Sequence, residues 1–192
     1  KLVYGFNQNI SREEFERRIK DNTITSVCNV VPVKKGDVFF ISAGTLHAIG
    51  SGILLAEVQQ NCNTTYRVYD YGRLVDGKPR ELHVEKALDV TDTVPPTRSG
   101  DADGEKLALD GAVSQDLCSC EFFKMSTLDV DGTYTFNVDN ESFVSLLVTK
   151  GEGTVECNGT VVEIASGDSI FVPANAGKTV LKGQFEVLVS TL

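Results

Sequence analysis

Several residue types are scarce in this 192-residue sequence, which contains no tryptophan, one methionine, two histidines and five prolines. Positive charge is scarce too, since 18 lysines and arginines stand against 27 aspartates and glutamates, a net charge of −9. A nucleic-acid-binding protein needs a basic face, so this balance argues against that class. A local cluster of arginines and lysines can still bind one phosphate group. No apolar run approaches the roughly 20 residues of a membrane-spanning helix.

The five cysteines form an odd set without the paired spacing of a disulfide framework. No basic segment followed by an apolar stretch opens the chain, so no signal peptide is visible. Together these features predict reduced thiols and a cytoplasmic protein. The chain does not begin with methionine, and its first six residues already have the composition of a strand. We therefore interpret it as part of a longer protein.

Short apolar runs between turn signals dominate the sequence and are typical of an antiparallel sandwich or barrel. The predicted strands cover residues 38–41, 53–59, 65–71, 121–130, 134–138, 143–149, 154–157, 161–164, 169–172, 178–181 and 185–190.

One helix is predicted clearly, near residues 12–21. Ser11 and Glu14 form a capping box, in which the hydroxyl and the carboxylate satisfy free backbone N–H groups of the first turn. Phe15 and Ile19 lie four residues apart, which places them on one face of that helix. A second, weaker helix is possible at residues 84–88.

An internal repeat suggests two related β modules. Residues 36–44 (GDVFFISAG) are echoed by residues 167–175 (GDSIFVPAN), an offset of 167 − 36 = 131 positions. A polar stretch with prolines, glycines and no periodicity lies between the two copies. The predicted organisation is therefore one module over residues 1–92, a connecting segment over 93–116, and a second module over 117–192.

The first copy of the repeat leads to His47 through a Gly-x5-Ser-x-Gly-x2-His spacing. This spacing resembles the second motif of the cupin superfamily, in which proline usually replaces Ser42 and the histidine is a metal ligand in the mouth of a jelly-roll barrel. Lys178 occupies the equivalent position in the second copy, so that module resembles a metal-free cupin. His47 and His83 are the only histidines and have no neighbouring histidine in sequence, so the chain alone contains no complete zinc site.

Four ordered blocks carry a more specific resemblance: residues 44–50 (GTLHAIG), 55–60 (LAEVQQ), 64–73 (TTYRVYDYGR) and 81–89 (ELHVEKALD). With their spacing they closely resemble type I phosphomannose isomerases of the bacterial kind, and the remainder agrees with the C-terminal domain of that family. The resemblance implies an all-β fold of two cupin-like jelly-roll modules, the first truncated, with one short helix. It also implies a zinc-dependent interconversion of mannose 6-phosphate and fructose 6-phosphate through a cis-enediol.

The resemblance also implies roles for four residues. His47 matches a zinc ligand, Arg67 the active-site arginine, Glu57 an acidic residue beside the metal, and Arg73 a basic residue at the sugar phosphate. Arg67 and Glu57 are thus the expected catalytic residues. The remaining zinc ligands, a Gln-x-His pair or its histidine alone and a glutamate, belong to segments that would precede Lys1. We therefore expect one zinc ion in the longer protein and no activity in this chain alone.

Two alternatives stay open. Arg67 and Glu57 can instead form a structural ion pair, because such pairs commonly imitate active sites. The protein can also be a non-catalytic sugar-binding or regulatory cupin that lacks the metal, or a different sugar-phosphate isomerase. In each case the expected partner is a small-molecule sugar phosphate, and neither nucleic acid nor a membrane is expected.

Overall fold

Strands dominate the computed structural model, which describes residues 1–98 and 100–192. The chain divides into two units, Lys1–Gly100 and Asp101–Leu192. The prediction of an all-β fold is confirmed, although the described residues contain two short α-helices rather than one. No helix in the described part of the chain is both long enough and apolar enough to cross a membrane.

The first unit contains a small antiparallel sheet and a separate hairpin. In the sheet, β1 lies between β2 and β3, and β4 pairs with β5 in the hairpin. The elements are β1 (Leu2–Phe6), α1 (Arg12–Lys20), a 3₁₀-helix (Ile24–Val27), β2 (Cys28–Val31), β3 (His47–Ile49), β4 (Leu74–Val75), β5 (Lys78–Pro79) and α2 (Val84–Val90).

Both helices form where the sequence predicts them. The Ser11 hydroxyl accepts a hydrogen bond from the Glu14 N–H at 3.1 Å and begins α1, whose Phe15 and Ile19 are buried. The weaker prediction at residues 84–88 extends in the structure to Val84–Val90. Arg12 joins the two helices, because it donates to the Leu88 carbonyl oxygen and to the Asp89 carboxylate.

Three strands predicted for the first unit are not formed in the described structure, at residues 38–41, 53–59 and 65–71. Their composition favours an extended backbone, but a strand also needs a neighbour that receives its ladder of hydrogen bonds. Isolated hydrogen bonds reach these segments instead of a ladder, such as the one from the Val38 N–H to the Gly100 carbonyl oxygen at 2.9 Å. The Leu54 side chain is 100% exposed, which agrees with the absence of sheet packing there.

The second unit is one seven-stranded antiparallel sheet in the order β10-β9-β12-β8-β7-β6, with β11 also paired to β9. Its strands are β6 (Lys106–Leu109), β7 (Ala112–Ser119), β8 (Lys124–Val138), β9 (Val144–Cys157), β10 (Thr160–Ala165), β11 (Ser169–Val172) and β12 (Gly177–Thr191). The core beneath them is apolar and includes Leu146, Val148, Leu181 and Val187, each at most 1% exposed.

Three strands of this sheet are longer than predicted, because the sequence was divided at glycines that the strands run through. Gly132, Gly153 and Gly183 lie side by side across β8, β9 and β12. A Cβ atom on Gly153 would come within 2.6 Å of the Phe185 ring, which is buried. Gly153 therefore makes room for an aromatic side chain, and none of the three glycines marks a turn.

The stretch 93–116, predicted to connect two modules, contains β6 and the first residues of β7. Both strands are hydrogen-bonded in the sheet of the second unit. Residue 99, also within that stretch, lies outside the described residues.

The internal repeat is visible in matching hydrogen bonds. The Asp37 carboxylate accepts from the Lys34 N–H at 2.9 Å, and the Asp168 carboxylate accepts from the Ala165 N–H at 2.8 Å. The glycine before each aspartate has a positive φ, +91° in the first copy and +100° in the second. The Gly-Asp pair therefore closes the same four-residue turn twice.

The next turn of the repeat also matches. The Thr45 N–H donates to the Ser42 carbonyl oxygen at 3.0 Å, and the Ala176 N–H donates to the Pro173 carbonyl oxygen at 3.2 Å. The third residue of each turn is left-handed, with φ of +85° and +63°. The first of these turns leads directly into β3, which begins at His47.

All five cysteines are free thiols. Burial raises the pKa of the Cys28 thiol to about 11. Cys118 is buried in β7, and Cys120, just beyond that strand, donates its thiol to the Phe123 carbonyl oxygen at 3.5 Å.

Two glycines of the second unit provide a test of this sheet. Gly111 and Gly159 have nearly equal φ of +77° and +75°, but only at Gly111 would a Cβ atom overlap backbone, at Thr133. Gly159→Ala should lower the free energy of unfolding by about 1 kcal/mol through left-handed strain alone. Gly111→Ala should lower it by about 3 kcal/mol or more, because it adds a steric clash. Urea unfolding of both variants measures the difference, and equal losses would contradict the geometry.

Candidate functional site

His47, the predicted metal ligand, is exposed on β3, where its backbone pairs with Tyr4 of β1. Its Nδ1 lies 2.9 Å from the Thr45 carbonyl oxygen. A carbonyl can only accept, so Nδ1 is the donor in this contact, and Nε2 is the ring nitrogen left for a metal. Metal-binding histidines commonly have this arrangement, in which the second nitrogen is held by a carbonyl or carboxylate.

Arg67, the predicted catalytic arginine, is held at the start of α2. Its backbone N–H donates to His83 Nδ1 at 3.0 Å, and the His83 N–H donates back to the Arg67 carbonyl oxygen at 2.8 Å. The guanidinium donates through Nη1 to the Glu81 carbonyl oxygen at 3.2 Å. Two backbone contacts and one side-chain contact therefore fix a half-buried arginine.

Glu57, the second predicted catalytic residue, is exposed and makes no hydrogen bond or ion pair within residues 1–98 and 100–192. The alternative in which Arg67 and Glu57 form a structural ion pair is therefore wrong for this structure. The Glu57 carboxylate has no protein partner in the described chain.

Asp70 forms the most developed polar cluster of the first unit, here called the Asp70 cluster: Asp70, Arg73 and Arg80. The Asp70 side chain is 8% exposed and accepts from Arg80 through both oxygens, with Nε at 2.8 Å from Oδ2 and Nη2 on Oδ1. Arg73 donates from Nη2 to the same Oδ1 at 2.9 Å. Two guanidinium groups share one carboxylate, so the cluster carries a net charge of +1.

The Asp70 cluster closes the base of the β4–β5 hairpin. Arg73 immediately precedes β4, and Arg80 immediately follows β5. Between the strands, Asp76 and Gly77 have φ of +52° and +75°, the positive values that a two-residue type I′ turn requires. One carboxylate therefore ties together the two ends of an exposed hairpin.

The structure links two of the predicted residues indirectly and leaves the others apart. Arg67 donates to the Glu81 carbonyl oxygen, and Arg73 shares Asp70 with Arg80, the residue before Glu81. His47 and Glu57 form no hydrogen bond or ion pair with each other or with either arginine in the described chain. Within those residues, no group of three or more His, Cys, Asp or Glu side chains could hold a metal ion.

Sequence reasoning gave no role to Asp70, Arg80 or His83. A signal for the first two is present, because Asp76-Gly77 is a strong hairpin dipeptide and an arginine flanks each side of it. The third required tertiary structure, since nothing local predicts that His83 accepts a hydrogen bond from a residue 16 positions earlier.

The Asp70 cluster predicts a specific dependence of stability on pH. The hydrogen bond from Arg80, and the charges of Arg80 and Arg73, lower the pKa of Asp70 from 3.8 to about 2. A carboxylate with a lowered folded-state pKa stabilises the fold above its unfolded pKa and loses that contribution as the pH falls through the folded value. The difference in unfolding free energy between the native chain and Asp70→Asn should thus be constant above about pH 5 and shrink between about pH 4 and 2.

Urea titrations of both chains across this pH range measure that difference. Asp110→Asn, which changes an exposed carboxylate in the turn between β6 and β7, is a suitable comparison for the general effect of removing one acidic group. A difference that stays constant down to pH 2 would contradict the assigned ion pairs.

Comparisons with known proteins match both part of the chain and its whole length. Residues 114–192 match the family described as "Mannose-6-phosphate isomerase, cupin domain". Over all 192 residues the chain is 32% identical to mannose-6-phosphate isomerase ManA of Bacillus subtilis (strain 168), and over 190 residues it is 30% identical to the mannose-6-phosphate isomerase of Streptococcus mutans serotype c. It covers 60% and 58% of those two proteins.

A solved structure shows the same similarity to a mannose-6-phosphate isomerase. The crystal structure of mannose 6-phosphate isomerase from Bacillus subtilis superposes with a TM-score of 0.88 at 30% identity, covering 100% of this chain and 60% of the other. The chain thus spans about three fifths of the length of the relatives it matches, which is consistent with the predicted C-terminal part. The resemblance to the mannose-6-phosphate isomerases, predicted from four sequence blocks, is confirmed and extends over the whole chain.

Proposed function

We propose that the chain is part of a zinc-dependent aldose–ketose isomerase that interconverts mannose 6-phosphate and fructose 6-phosphate through a cis-enediol. The observation that carries the proposal is similarity along the entire chain to proteins named mannose-6-phosphate isomerases. We also propose a cytoplasmic enzyme of carbohydrate metabolism, which agrees with five free thiols in a reducing compartment.

His47 fits the role of one zinc ligand, since its Nδ1 contact with Thr45 leaves Nε2 available. Zinc, when bound, supplies a Lewis acid that polarises the substrate oxygens. Catalytic zinc sites generally have three protein ligands, so we propose that the others lie in sequence preceding Lys1.

Arg67 is proposed to hold the negative charge that develops on the enediolate oxygens. An effective electrostatic catalyst is oriented before the reaction begins, so that no reorganisation is needed in the transition state. The contacts of Arg67 with His83 and Glu81 supply this orientation. The guanidinium makes no ion pair in the described chain, so its full charge remains available to the substrate.

Glu57 is proposed to move the proton between C1 and C2 of the sugar. A general base must be ionised and must have a free oxygen within reach of the proton. The Glu57 carboxylate is exposed and without a partner in residues 1–98 and 100–192, so neither oxygen is already occupied by a protein donor.

A non-catalytic sugar-binding cupin is the second candidate. It is favoured by one observation, that the described residues contain no set of three metal-ligating side chains. Metal analysis and turnover of the full-length protein separate the two candidates. We expect stoichiometric zinc and isomerase activity in the full-length protein and neither in these 192 residues alone.

Arg67→Ala in the full-length protein should lower kcat by about 10²–10³, the scale observed when one oxyanion donor is removed. Zinc content and Tm should change little, because the backbone bonds to His83 do not depend on the side chain. His47→Ala should instead lose zinc and activity together. Arg17→Ala, which removes an exposed arginine of α1, should leave kcat unchanged.

These variants are compared by steady-state kinetics, metal analysis and thermal unfolding of the same preparations. An Arg67→Ala protein that unfolds at a lower temperature but keeps full turnover per folded molecule would assign Arg67 a structural role and remove the centre of this mechanism.

A further inference from the structure

The Asp70 cluster has more positive charge than its internal pairing uses. Arg80 alone occupies both oxygens of Asp70, so the carboxylate is already matched by one guanidinium. Arg73 is a second cation on the same Oδ1. No other carboxylate forms an ion pair with either arginine in the described chain. Asp70 itself precedes the hairpin, so its bonds with Arg80 already join the two ends, and Arg73 adds a charge that this closure does not use.

The donors that remain are accessible. The Arg73 side chain is 62% exposed and that of Arg80 is 35% exposed, whereas Asp70 is buried beneath them. Neither arginine uses Nη1 in a hydrogen bond within the described residues. Because both Nη2 atoms contact one oxygen, the two guanidinium groups are neighbours and can donate to the same anion.

The cluster is also held in place. Arg73 is additionally bonded through Nε to the Asp70 carbonyl oxygen at 3.4 Å and lies 5.6 Å from the centre of the Tyr71 ring. The hairpin fixes the spacing of the two arginines along the chain. Donors that are ordered before binding lose less conformational entropy when a ligand arrives.

We infer that Arg80 is a phosphate-binding residue that acts together with Arg73, and that the pair receives the phosphate group of the sugar phosphate. This inference rests on the proposed isomerase function for the identity of the ligand. Planar guanidinium groups suit a phosphate monoester, which offers three acceptor oxygens and up to two negative charges. Asp70 is the buried anchor that orients both arginines.

The location agrees with the proposed mechanism. Arg67, assigned to the reacting end of the sugar, contacts the carbonyl oxygen of Glu81, the residue directly after Arg80. One short segment therefore supports a cation for the reacting carbons and a cation for the phosphate. The two ends of an extended hexose phosphate require two separate sites of this kind.

The test uses the full-length protein with Arg80→Gln, and Lys78→Gln as the matched control, since Lys78 is an exposed cation of the same hairpin outside the cluster. With mannose 6-phosphate, Arg80→Gln should raise KM by about tenfold to a hundredfold, the loss expected for one charge-assisted hydrogen-bonded contact. kcat should stay within about threefold of the native value, because the phosphate contact is the same in ground and transition states. Lys78→Gln should change neither constant appreciably.

Experiments with unphosphorylated mannose and with inorganic phosphate show whether Arg80→Gln weakens phosphate binding or disturbs the structure. The kcat/KM measured with mannose should be equal in the native protein and Arg80→Gln, whereas a merely structural role would lower kcat/KM for both sugars. Calorimetric titration with inorganic phosphate should show weaker binding by Arg80→Gln in the same proportion as the KM increase. Arg80→Lys keeps the charge but not the paired donors, so its phosphate affinity should lie between those of the native protein and Arg80→Gln. It replaces Arg80→Gln in the test if that variant does not fold.

Equal effects on mannose and mannose 6-phosphate, or unchanged phosphate binding in Arg80→Gln, would overturn the inference. Absence of isomerase activity in the native full-length protein would overturn the proposed function instead. In that case, phosphate binding by the native protein that is lost in Arg80→Gln would still establish the anion site. A native protein that binds no phosphate would reject the anion site.

Discussion

The carboxylate of Asp70 is the interaction on which the candidate site depends. It is buried, and it accepts from Arg73 on one side of a hairpin and Arg80 on the other. A buried ionised group is tolerated when it is paired and hydrogen-bonded. The hydrogen bond from Arg80, together with the charges of the two arginines, lowers the pKa of Asp70. One buried negative charge thus orients an exposed arginine and a half-buried one, in a protein whose overall charge is −9.

Hydrogen bonds of the Arg67 backbone hold that residue in place in a similar way. The reciprocal contacts with His83 attach an irregular segment to the first residue before α2. No strand ladder holds residues 65–71 in the described chain, so these contacts replace it locally. The segment gains order through the His83 side chain and the Asp70 cluster rather than through a sheet.

The two copies of the repeat have similar turns but present side chains of different chemistry after them. Asp37 and Asp168 close their turns with the same hydrogen bond, and the turn that follows each is also alike. At the end of the second turn, one copy presents His47 and the other Lys178. Nδ1 of the histidine is held by a carbonyl, which suits metal binding, whereas a lysine at the same place is a cation. A single side chain therefore distinguishes the two copies at this position.

The sequence by itself determined the features that depend on neighbouring residues: the capped helix at Ser11, the weaker helix at Val84, the repeated turns, and the all-β class with its family resemblance. These follow from local hydrogen bonds, periodicity and motif spacing. Tertiary structure alone decided which extended segments become strands, because a ladder needs a partner distant in sequence. It also decided that the glycines around Phe185 lie within strands, and that Asp70 collects two arginines across a hairpin. Burial and ion pairing depend on which distant residues meet, and composition does not specify that.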